Sequence, residues 1–222
     1  MAIDLTRRAV AEALGTAGLL AAVVGSGIMG ERLAGGNVAV ALLANSLATG
    51  GALLAIISAL QPISGAHLNP VVTVVDAAAG GLPWREVPVV VAAQMAGAVV
   101  GVLAAHLMFG EAWVSWATHD RSGVALAISE AVATFGLLAV ILGCARRRPD
   151  AIPGAVSAYI VAAYWFTAST SFANPAVTVA RSLTATFAGI RTVDVAPFVA
   201  AQLAGAVAAF MVLRWLDARP AP

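Results

Sequence analysis

Two asparagine–proline pairs, Asn69-Pro70 and Asn174-Pro175, are the residues of this chain best suited to bind a solute at a fixed position. Asn is among the preferred N-caps of α-helices, and Pro fits the first helical position because its missing N–H would be unpaired there. Each pair therefore predicts a helix start with a partly positive dipole end. We expect the asparagine amide N–H groups to remain free to donate to a passing solute. Two such ends repel cations and favour a neutral molecule that carries hydroxyl groups.

Two carboxylates and one serine–histidine neighbourhood are the other candidates. Glu12 and Glu130 lie in long apolar runs, where a carboxylate must find hydrogen-bond donors or stay protonated. Ser64 lies near His67, so a nucleophilic serine with a histidine base is an alternative. In six-span serine proteases these two residues sit on different spans, with the serine in a Gly-x-Ser-Gly setting that this sequence lacks. We therefore expect no catalytic residue and no enzyme.

Composition places the chain in the membrane class. Of its 222 residues 61% are hydrophobic and 10% are charged, against about 25% charged in soluble proteins. A net charge of +1 offers no electrostatic footprint for a nucleic acid, and none is expected as a partner. Cys144 is the only cysteine, which excludes a disulfide scaffold and a cysteine-built metal site within one chain. No metal and no cofactor are expected.

Clusters of charge divide the chain into apolar blocks, and a block needs about 20 residues to cross the hydrocarbon core. Six blocks are long enough and two are too short. The predicted spans are Ala9–Gly30, Val38–Leu60, Val87–Gly110, Val124–Ala145, Ile152–Ser171 and Val195–Leu216, and the short stretches are Asn69–Ala79 and Asn174–Phe187. The fold class is therefore an all-α membrane protein with six transmembrane helices and two re-entrant half-helices.

Arginine placement predicts the orientation, because short cytoplasmic segments carry an excess of Lys and Arg. Eight arginines fall on one side of the predicted spans and three on the other. The eight are Arg7, Arg8, Arg85, Arg146, Arg147, Arg148, Arg214 and Arg219, and the three are Arg32, Arg121 and Arg191. Both termini are therefore expected in the cytoplasm.

The chain contains an internal repeat. Three segments of the first half match three of the second half in the same order. The matches join 11–16 with 129–134, the first Asn-Pro pair with the second, and 94–99 with 202–207. With three spans in each half the second copy is inverted, so the chain is one channel-type domain, residues 1–222, with halves of about 1–115 and 120–222. Inverted repeats place a pathway at their interface near the mid-plane, lined by broken helices.

These motifs resemble those of the aquaporins, the major intrinsic protein family, over nearly the full chain. Asn69-Pro70-Val71 and Asn174-Pro175-Ala176 occupy the places of the two Asn-Pro-Ala signatures of that family. The resemblance implies a homotetramer in the lipid bilayer whose chains each conduct passively without a cofactor. It also implies that Glu12 and Glu130 accept hydrogen bonds from the re-entrant loops. His67 is expected to hold the first loop, with proton transfer as the alternative role.

The selectivity filter departs from the pattern of the family. Val177 stands where most members carry an arginine, and Arg181 follows one helical turn later, about 6 Å along the axis. Arg181 either reaches back over Val177 into the filter or sits in the outer vestibule and anchors the half-helix. By family spacing the other filter positions are Thr49 and either Ala162 or Ala163. Such small residues imply a wider, less polar constriction than that of a strict water channel.

Three aromatic residues near the fifth span, Tyr164, Trp165 and Phe172, are candidates to narrow the pore again. The second signature region, 174–182, resembles a bacterial branch of the family associated with arsenic handling. We therefore expect a channel of the bacterial inner (plasma) membrane for small neutral solutes: water, glycerol-like polyols and trivalent metalloid hydroxides such as arsenous acid. A strict water channel is one alternative, and a coupled secondary transporter of a small neutral solute is another.

Overall fold

A computed structural model describes residues 3–217 of the chain, so Arg219 lies outside the described residues. Within this range the regular structure consists of eight α-helices and two short 3₁₀ turns, with no β-strand. The helices are α1 (Leu5–Leu33), α2 (Val38–Ser64), α3 (Pro70–Ala78), α4 (Val87–Phe109), α5 (Val124–Ala145), α6 (Ile152–Phe166), α7 (Pro175–Ala180) and α8 (Thr192–Leu216). The predicted all-α fold class is confirmed.

Five of these helices are long and apolar enough to cross a membrane, and the sixth predicted span is shorter than expected. The expected range of 152–171 is wrong, because α6 ends at Phe166 after 15 residues, about 22 Å. Thr167 is extended, and its hydroxyl donates to the Ala163 carbonyl, 2.6 Å away. A 3₁₀ turn, Pro149–Ala151, precedes α6 and lengthens this helical segment at its other end.

The two short helices, α3 and α7, begin at the asparagine–proline pairs. Asn69 caps α3 by accepting from the Val71 amide, 3.1 Å away. Asn174 caps α7 by accepting from the amides of Ala176 and Val177, at 2.9 and 3.3 Å. The second half-helix is much shorter than the predicted 174–187, since α7 has six residues and passes into a 3₁₀ turn at Arg181.

Glycines at equivalent repeat positions allow the long helices to cross closely. Gly97 of α4 lies against the backbone of Ala13 in α1, and Gly205 of α8 lies against the backbone of Ala131 in α5. A Cβ atom at either glycine would collide with the facing main chain. Small residues at such crossings are typical of packed transmembrane helices. The four helices thereby form two matching pairs, one in each half, around the buried residues described next.

Candidate functional site

The loops that precede α3 and α7 have a backbone that is rare for residues other than glycine. Leu68 in the first loop and Ala173 in the second have φ of 53° and 47°, and Ala66, Thr170 and Ser171 are also left-handed. Such a conformation costs about 1–2 kcal/mol for each residue. It turns the amide groups of each loop toward the interior of the protein, where something must accept their hydrogen bonds.

Glu12 supplies the acceptor for the first loop. Its carboxylate accepts from the amides of His67 and Leu68, at 2.9 and 2.7 Å, from the Ser64 hydroxyl at 2.7 Å, and from Gln94 Nε2 at 2.8 Å. The side chain is fully buried. These donors compensate the carboxylate for its lost hydration and fix the loop on α1.

Glu130 does the same for the second loop. Its carboxylate accepts from the amides of Phe172 and Ala173, at 2.8 and 2.9 Å, and from Gln202 Nε2 at 2.6 Å. Glu130 and Gln202 are both fully buried. The two loops are thus held by equivalent carboxylates, one from each half of the repeat.

Two glutamines extend both networks to the half-helices. Gln94 also donates to the Thr73 hydroxyl and Gln202 to the Thr178 hydroxyl, each at 2.8 Å. Thr73 and Thr178 in turn donate to the carbonyls of the capping asparagines, at 3.1 and 2.8 Å. The sequence shows the glutamines only as matched repeat positions, and their contacts give that match a structural reason.

The asparagine side chains cross between the two half-helices. Asn69 Nδ2 donates to the Ala173 carbonyl and Asn174 Nδ2 donates to the Leu68 carbonyl, each at 2.8 Å. The expectation that the asparagine amide N–H groups remain free is wrong for one N–H of each residue, because that N–H donates to a carbonyl of the opposite loop. An amide has two N–H donors, so one donor per asparagine remains for a solute. Both asparagines line the cavity described below.

His67 holds its loop from the backbone and the ring. Besides the amide bond to Glu12, its Nδ1 lies 3.2 Å from the Thr73 hydroxyl and its Nε2 lies 3.6 Å from an Asp76 carboxylate oxygen. His67 and Asp76 both line the cavity. The ring is therefore positioned between α3 and its own loop.

A cavity of about 390 Å³ is lined by residues of both half-helices and both loops. Its wall is mostly aliphatic, with side chains from α1, α2, α5 and α6, such as Leu53, Ile57, Leu137 and Ile160. Gln61 and Asp76 are polar lining residues on the side of the first loop, and the polar lining residues on the side of the second loop come from α2, α6, that loop and the 3₁₀ turn after α7. The cavity therefore presents few hydrogen-bonding groups, and these lie at the two asparagines and toward its two sides.

Of the predicted filter positions on α2 and α6, the one on α2 lies in the cavity wall and those on α6 do not. Thr49 is buried and lines the cavity, and its hydroxyl lies 3.3 Å from that of Tyr164. Neither alanine lines the cavity: Ala162 is exposed on the outside of α6, and Ala163 is buried in the packed interior. The residue that α6 places in the cavity wall at this level is Tyr164. The positions predicted at Ala162 and Ala163 are wrong because α6 ends early, at Phe166, and an irregular loop separates it from Asn174.

Val177 and Arg181 both line the cavity. Arg181 is only 2% exposed, its Nε donates to the Ala188 carbonyl, and its guanidinium lies on the ring of Phe172, 3.5 Å from the ring centre. The Arg181 side chain is therefore anchored by a backbone carbonyl and also borders the cavity.

Arg121 is a site residue that the sequence does not identify, since it reads as an ordinary loop charge. It is 8% exposed, its Nε donates to the Gly189 carbonyl at 2.9 Å, and its Nη1 donates to the Ser169 carbonyl at 3.2 Å. Its guanidinium carbon lies 4.8 Å from the centre of the same Phe172 ring. Burial lowers the pKa of Arg121 to about 10, so the group stays charged at neutral pH. The loop between α4 and α5 thus brings a second cation to the Phe172 ring on which Arg181 lies.

Comparison with known proteins gives consistent results. The family model described as Major intrinsic protein matches residues 1–168. Aquaglyceroporin AqpS of Rhizobium meliloti (strain 1021) is 53% identical over 219 residues, which cover 98% of this chain and 94% of that protein. Aquaporin NIP1-3 of Oryza sativa subsp. japonica is 31% identical over 227 residues, covering 97% of this chain and 76% of the relative.

A solved structure shares the fold. The X-ray structure of the aquaglyceroporin from Plasmodium falciparum superposes with a TM-score of 0.74, covering 96% of each chain at 21% sequence identity. At that identity the likeness shows the arrangement of helices, and the chemistry of the cavity rests on the residues described above.

Proposed function

Because this chain belongs to the major intrinsic protein family, we propose that it is a passive channel for small uncharged solutes: water, glycerol-like polyols and trivalent metalloid hydroxides such as arsenous acid. The observation that carries the proposal is the cavity lined by both Asn69 and Asn174, with a mostly aliphatic wall. Each asparagine offers one N–H at the point where the half-helices meet. A solute with several hydroxyl groups can exchange water for these donors while its carbon face slides along the wall.

Val177 supports permeants larger than water. An arginine at this place would project a charged fork into the cavity, whereas Val177 presents methyl groups. Arsenous acid is an uncharged trihydroxy species at neutral pH and is shaped like part of a polyol. A pore that accepts glycerol by size and hydroxyl pattern is therefore suited to arsenous acid as well. The names of two relatives agree with a polyol permeant: the aquaglyceroporin of R. meliloti, and the glycerol uptake facilitator protein of Bacillus subtilis, which is 41% identical over 98 residues.

Tyr164 sets the other side of the constriction in this proposal. Its hydroxyl lies within hydrogen-bond distance of the Thr49 hydroxyl in the cavity wall. The two side chains together narrow the cavity and present uncharged hydroxyl groups to a solute. The filter then consists of Thr49, Tyr164, Val177 and Arg181, with Ala162 and Ala163 replaced in this role by the tyrosine.

A passive mechanism is favoured over coupled transport. The two intramembrane carboxylates, Glu12 and Glu130, are fully buried and engaged by loop donors. A coupling carboxylate must exchange a proton or an ion during transport. Neither residue lines the cavity, so neither meets the solute on its way.

The outer surface of the long helices supports a location in the membrane. Large apolar side chains on the outside of the long helices, among them Leu14, Val124 and Val207, fit contact with lipid or with neighbouring subunits. We place the chain in a bacterial inner membrane with both termini in the cytoplasm, as a homotetramer whose chains each enclose a cavity of their own.

Stopped-flow light scattering of proteoliposomes tests the proposal. Vesicles with the purified chain are mixed in turn with gradients of sucrose, glycerol and arsenous acid, with and without a pH gradient. We expect fast water flow, faster entry of both larger solutes than in empty vesicles, and no effect of the pH gradient. Water flow without either larger solute would identify a strict water channel, and dependence on the pH gradient would identify coupled transport.

Two substitutions of Val177 distinguish the effect of side-chain size on solute entry from the effect of side-chain charge. V177R is expected to suppress glycerol and arsenous acid far more than water, while V177L, which adds bulk without charge, is expected to reduce them less. Equal glycerol entry through V177R and the unmodified chain would contradict the assignment of Val177 to the constriction.

A further inference from the structure

Each half of the repeat places one charged side chain on the cavity wall, seven residues after its capping asparagine. Asp76 follows Asn69 by seven residues, and Arg181 follows Asn174 by seven. Within residues 3–217 these two are the only aspartate, glutamate or arginine side chains that line the cavity. A guanidinium only donates hydrogen bonds, and a carboxylate only accepts them. The two sides of the cavity therefore offer a solute opposite hydrogen-bonding groups.

Asp76 differs from the other carboxylates of the described chain that are buried or half-buried. Each of the others accepts from an arginine or a side-chain amide; they are Glu12, Glu86, Glu111, Glu130 and Asp194. In the described range the basic group within salt-bridge distance of Asp76 is the His67 ring, with Nε2 at 3.6 Å. The Asp76 side chain is 38% exposed and lines the cavity, so a solute can reach its carboxylate.

Gly81 provides the space in which this carboxylate lies. The Gly81 amide donates to the Asp76 carbonyl, 2.9 Å away, so the chain after α3 turns back over the side chain. A Cβ atom at Gly81 would collide with the Asp76 carboxylate. Because that carboxylate is the end of a rotatable side chain, a larger residue at 81 would move it away from its present position.

The hydrogen bonds of Thr73 fix the proton of the His67 ring. The Thr73 hydroxyl donates its one hydrogen to the Asn69 carbonyl, 3.1 Å away, and accepts from Gln94 Nε2 at 2.8 Å. His67 Nδ1, 3.2 Å from the same hydroxyl oxygen, must therefore be the donor in that contact. In the neutral ring the proton is then on Nδ1, and Nε2 is a hydrogen-bond acceptor.

Two acceptors thus lie beside each other on the cavity wall. Neither His67 Nε2 nor the Asp76 carboxylate can donate to the other across the 3.6 Å between them. A molecule with two O–H groups on one atom or on neighbouring atoms can donate one hydrogen bond to each. The bond to the carboxylate is the stronger of the two, because its acceptor is ionised.

We propose that Asp76 and His67 Nε2 form a subsite that binds a neutral polyhydroxy solute through two of its O–H groups. Asp76 is then the residue on the first-loop side that determines the affinity of the cavity for such solutes. The asparagines and Arg181 donate to solute oxygens, whereas this subsite accepts from solute hydroxyls. The proposal deepens the channel function proposed above, on which it rests for transport, while binding itself can be measured without transport.

Saturation-transfer-difference NMR measures glycerol binding to the purified protein directly. The detergent is lauryldimethylamine oxide, because detergents with sugar head groups carry hydroxyls that would compete. Uptake of radiolabelled glycerol into proteoliposomes is measured in parallel over a range of glycerol concentrations. Its half-saturating concentration reports affinity and does not depend on how many channels are active. We expect a saturable NMR signal and a saturable uptake.

Substitutions of Asp76 distinguish binding from steric obstruction. D76A removes the acceptor and widens the cavity, and it is expected to weaken glycerol binding and raise the half-saturating concentration about tenfold. If the side chain only obstructed the cavity, D76A would instead speed glycerol entry. D76E keeps a carboxylate and is expected to stay within about threefold of the unmodified chain. D150N is the matched control, because Asp150 is exposed and next to the lining residue Pro149 but does not line the cavity, and it is expected to change nothing.

G81A tests the position of the carboxylate while the carboxylate itself stays present. The added Cβ displaces the Asp76 side chain, so G81A is expected to weaken glycerol binding as D76A does. In the D76A background G81A is expected to add no further loss, since the group it displaces is absent. The unfolding temperature of D76A is expected to equal or exceed that of the unmodified chain, because two acceptors no longer face each other. A fall of several degrees would indicate an ion pair with protonated His67 and would overturn the subsite.

The outcomes separate the subsite from the channel. Glycerol binding that is weakened in D76A and G81A and kept in D150N supports the subsite even if the proteoliposomes take up no glycerol. Glycerol uptake with the same half-saturating concentration and the same NMR affinity in D76A, G81A and D150N overturns the subsite and leaves the channel standing.

Discussion

Replacing Glu130 by glutamine tests the support of the second loop. The carboxylate accepts three hydrogen bonds, two of them from the backbone amides of Phe172 and Ala173. A glutamine retains one oxygen and turns an NH₂ group toward a donor, so at least one of these bonds is lost. A bond to a charged acceptor contributes about 1.5–3 kcal/mol, and removal of a buried charge offsets part of that loss. We expect E130Q to be about 2–3 kcal/mol less stable.

For a chain of this size that loss corresponds to a fall in unfolding temperature of about 5–10 °C. Without the carboxylate, left-handed Ala173 also relaxes toward ordinary backbone, which shifts Phe172 and slows water flow. The assay is thermal unfolding in detergent, followed by stopped-flow swelling of the same preparation. E31Q is the control, since Glu31 is exposed. An unfolding temperature for E130Q within about 1 °C of that of E31Q, with unchanged water flow, would refute the reasoning.

Three other predictions concern the constriction, the helix crossings and the effect of pH. Y164A removes the aromatic side chain beside the threonine of α2 and is expected to raise glycerol entry relative to water flow in stopped-flow swelling; an unchanged ratio would show that Tyr164 does not limit passage. G205V places a side chain against the facing backbone of α5 and is expected to destabilise the fold by about 1–3 kcal/mol or more, seen as lost expression and a lower unfolding temperature, whereas G51V, at a position with open space, is expected to be tolerated. Burial, and then the charges of the two stacked arginines, lower the pKa of His119, while Asp120 opposes them; His119 is therefore neutral at pH 7 and gains its proton only below the usual value of 6.5. Because the unfolded chain takes up that proton more readily than the folded one, the unfolding temperature is expected to fall as the pH drops below 6.5, and H119Q should reduce that fall; an equal fall in H119Q would assign it to other groups.

The fold and the centre of the site were predictable because both depend on patterns that repeat. Asn69-Pro70 and Asn174-Pro175 are local capping signals, and their symmetric placement in short apolar stretches indicates two half-helices that meet. Glu12 and Glu130 stand out because a carboxylate in an apolar run needs donors. None of these inferences requires knowledge of how distant segments pack.

The residues at the constriction were harder to predict, because their placement depends on where a helix ends. Counting along the chain pointed to Ala162 and Ala163, but the early end of α6 leaves Tyr164 in the cavity wall. Arg121 lies in an irregular loop, with no period and no repeat partner, so its burial is visible only in the folded chain. The crossing of the asparagine amides was missed because single side-chain hydrogen bonds between distant loops leave no trace in the sequence.

The central claim is that uncharged solutes larger than water pass through this cavity, and a glycerol jump tests it most directly. Proteoliposomes mixed with external glycerol first shrink as water leaves and then reswell as glycerol enters with water. We predict a reswelling phase much faster than in empty vesicles for the unmodified chain and a much slower one for V177R, with the initial shrinkage retained in both. Shrinkage without accelerated reswelling in the unmodified chain would contradict the claim.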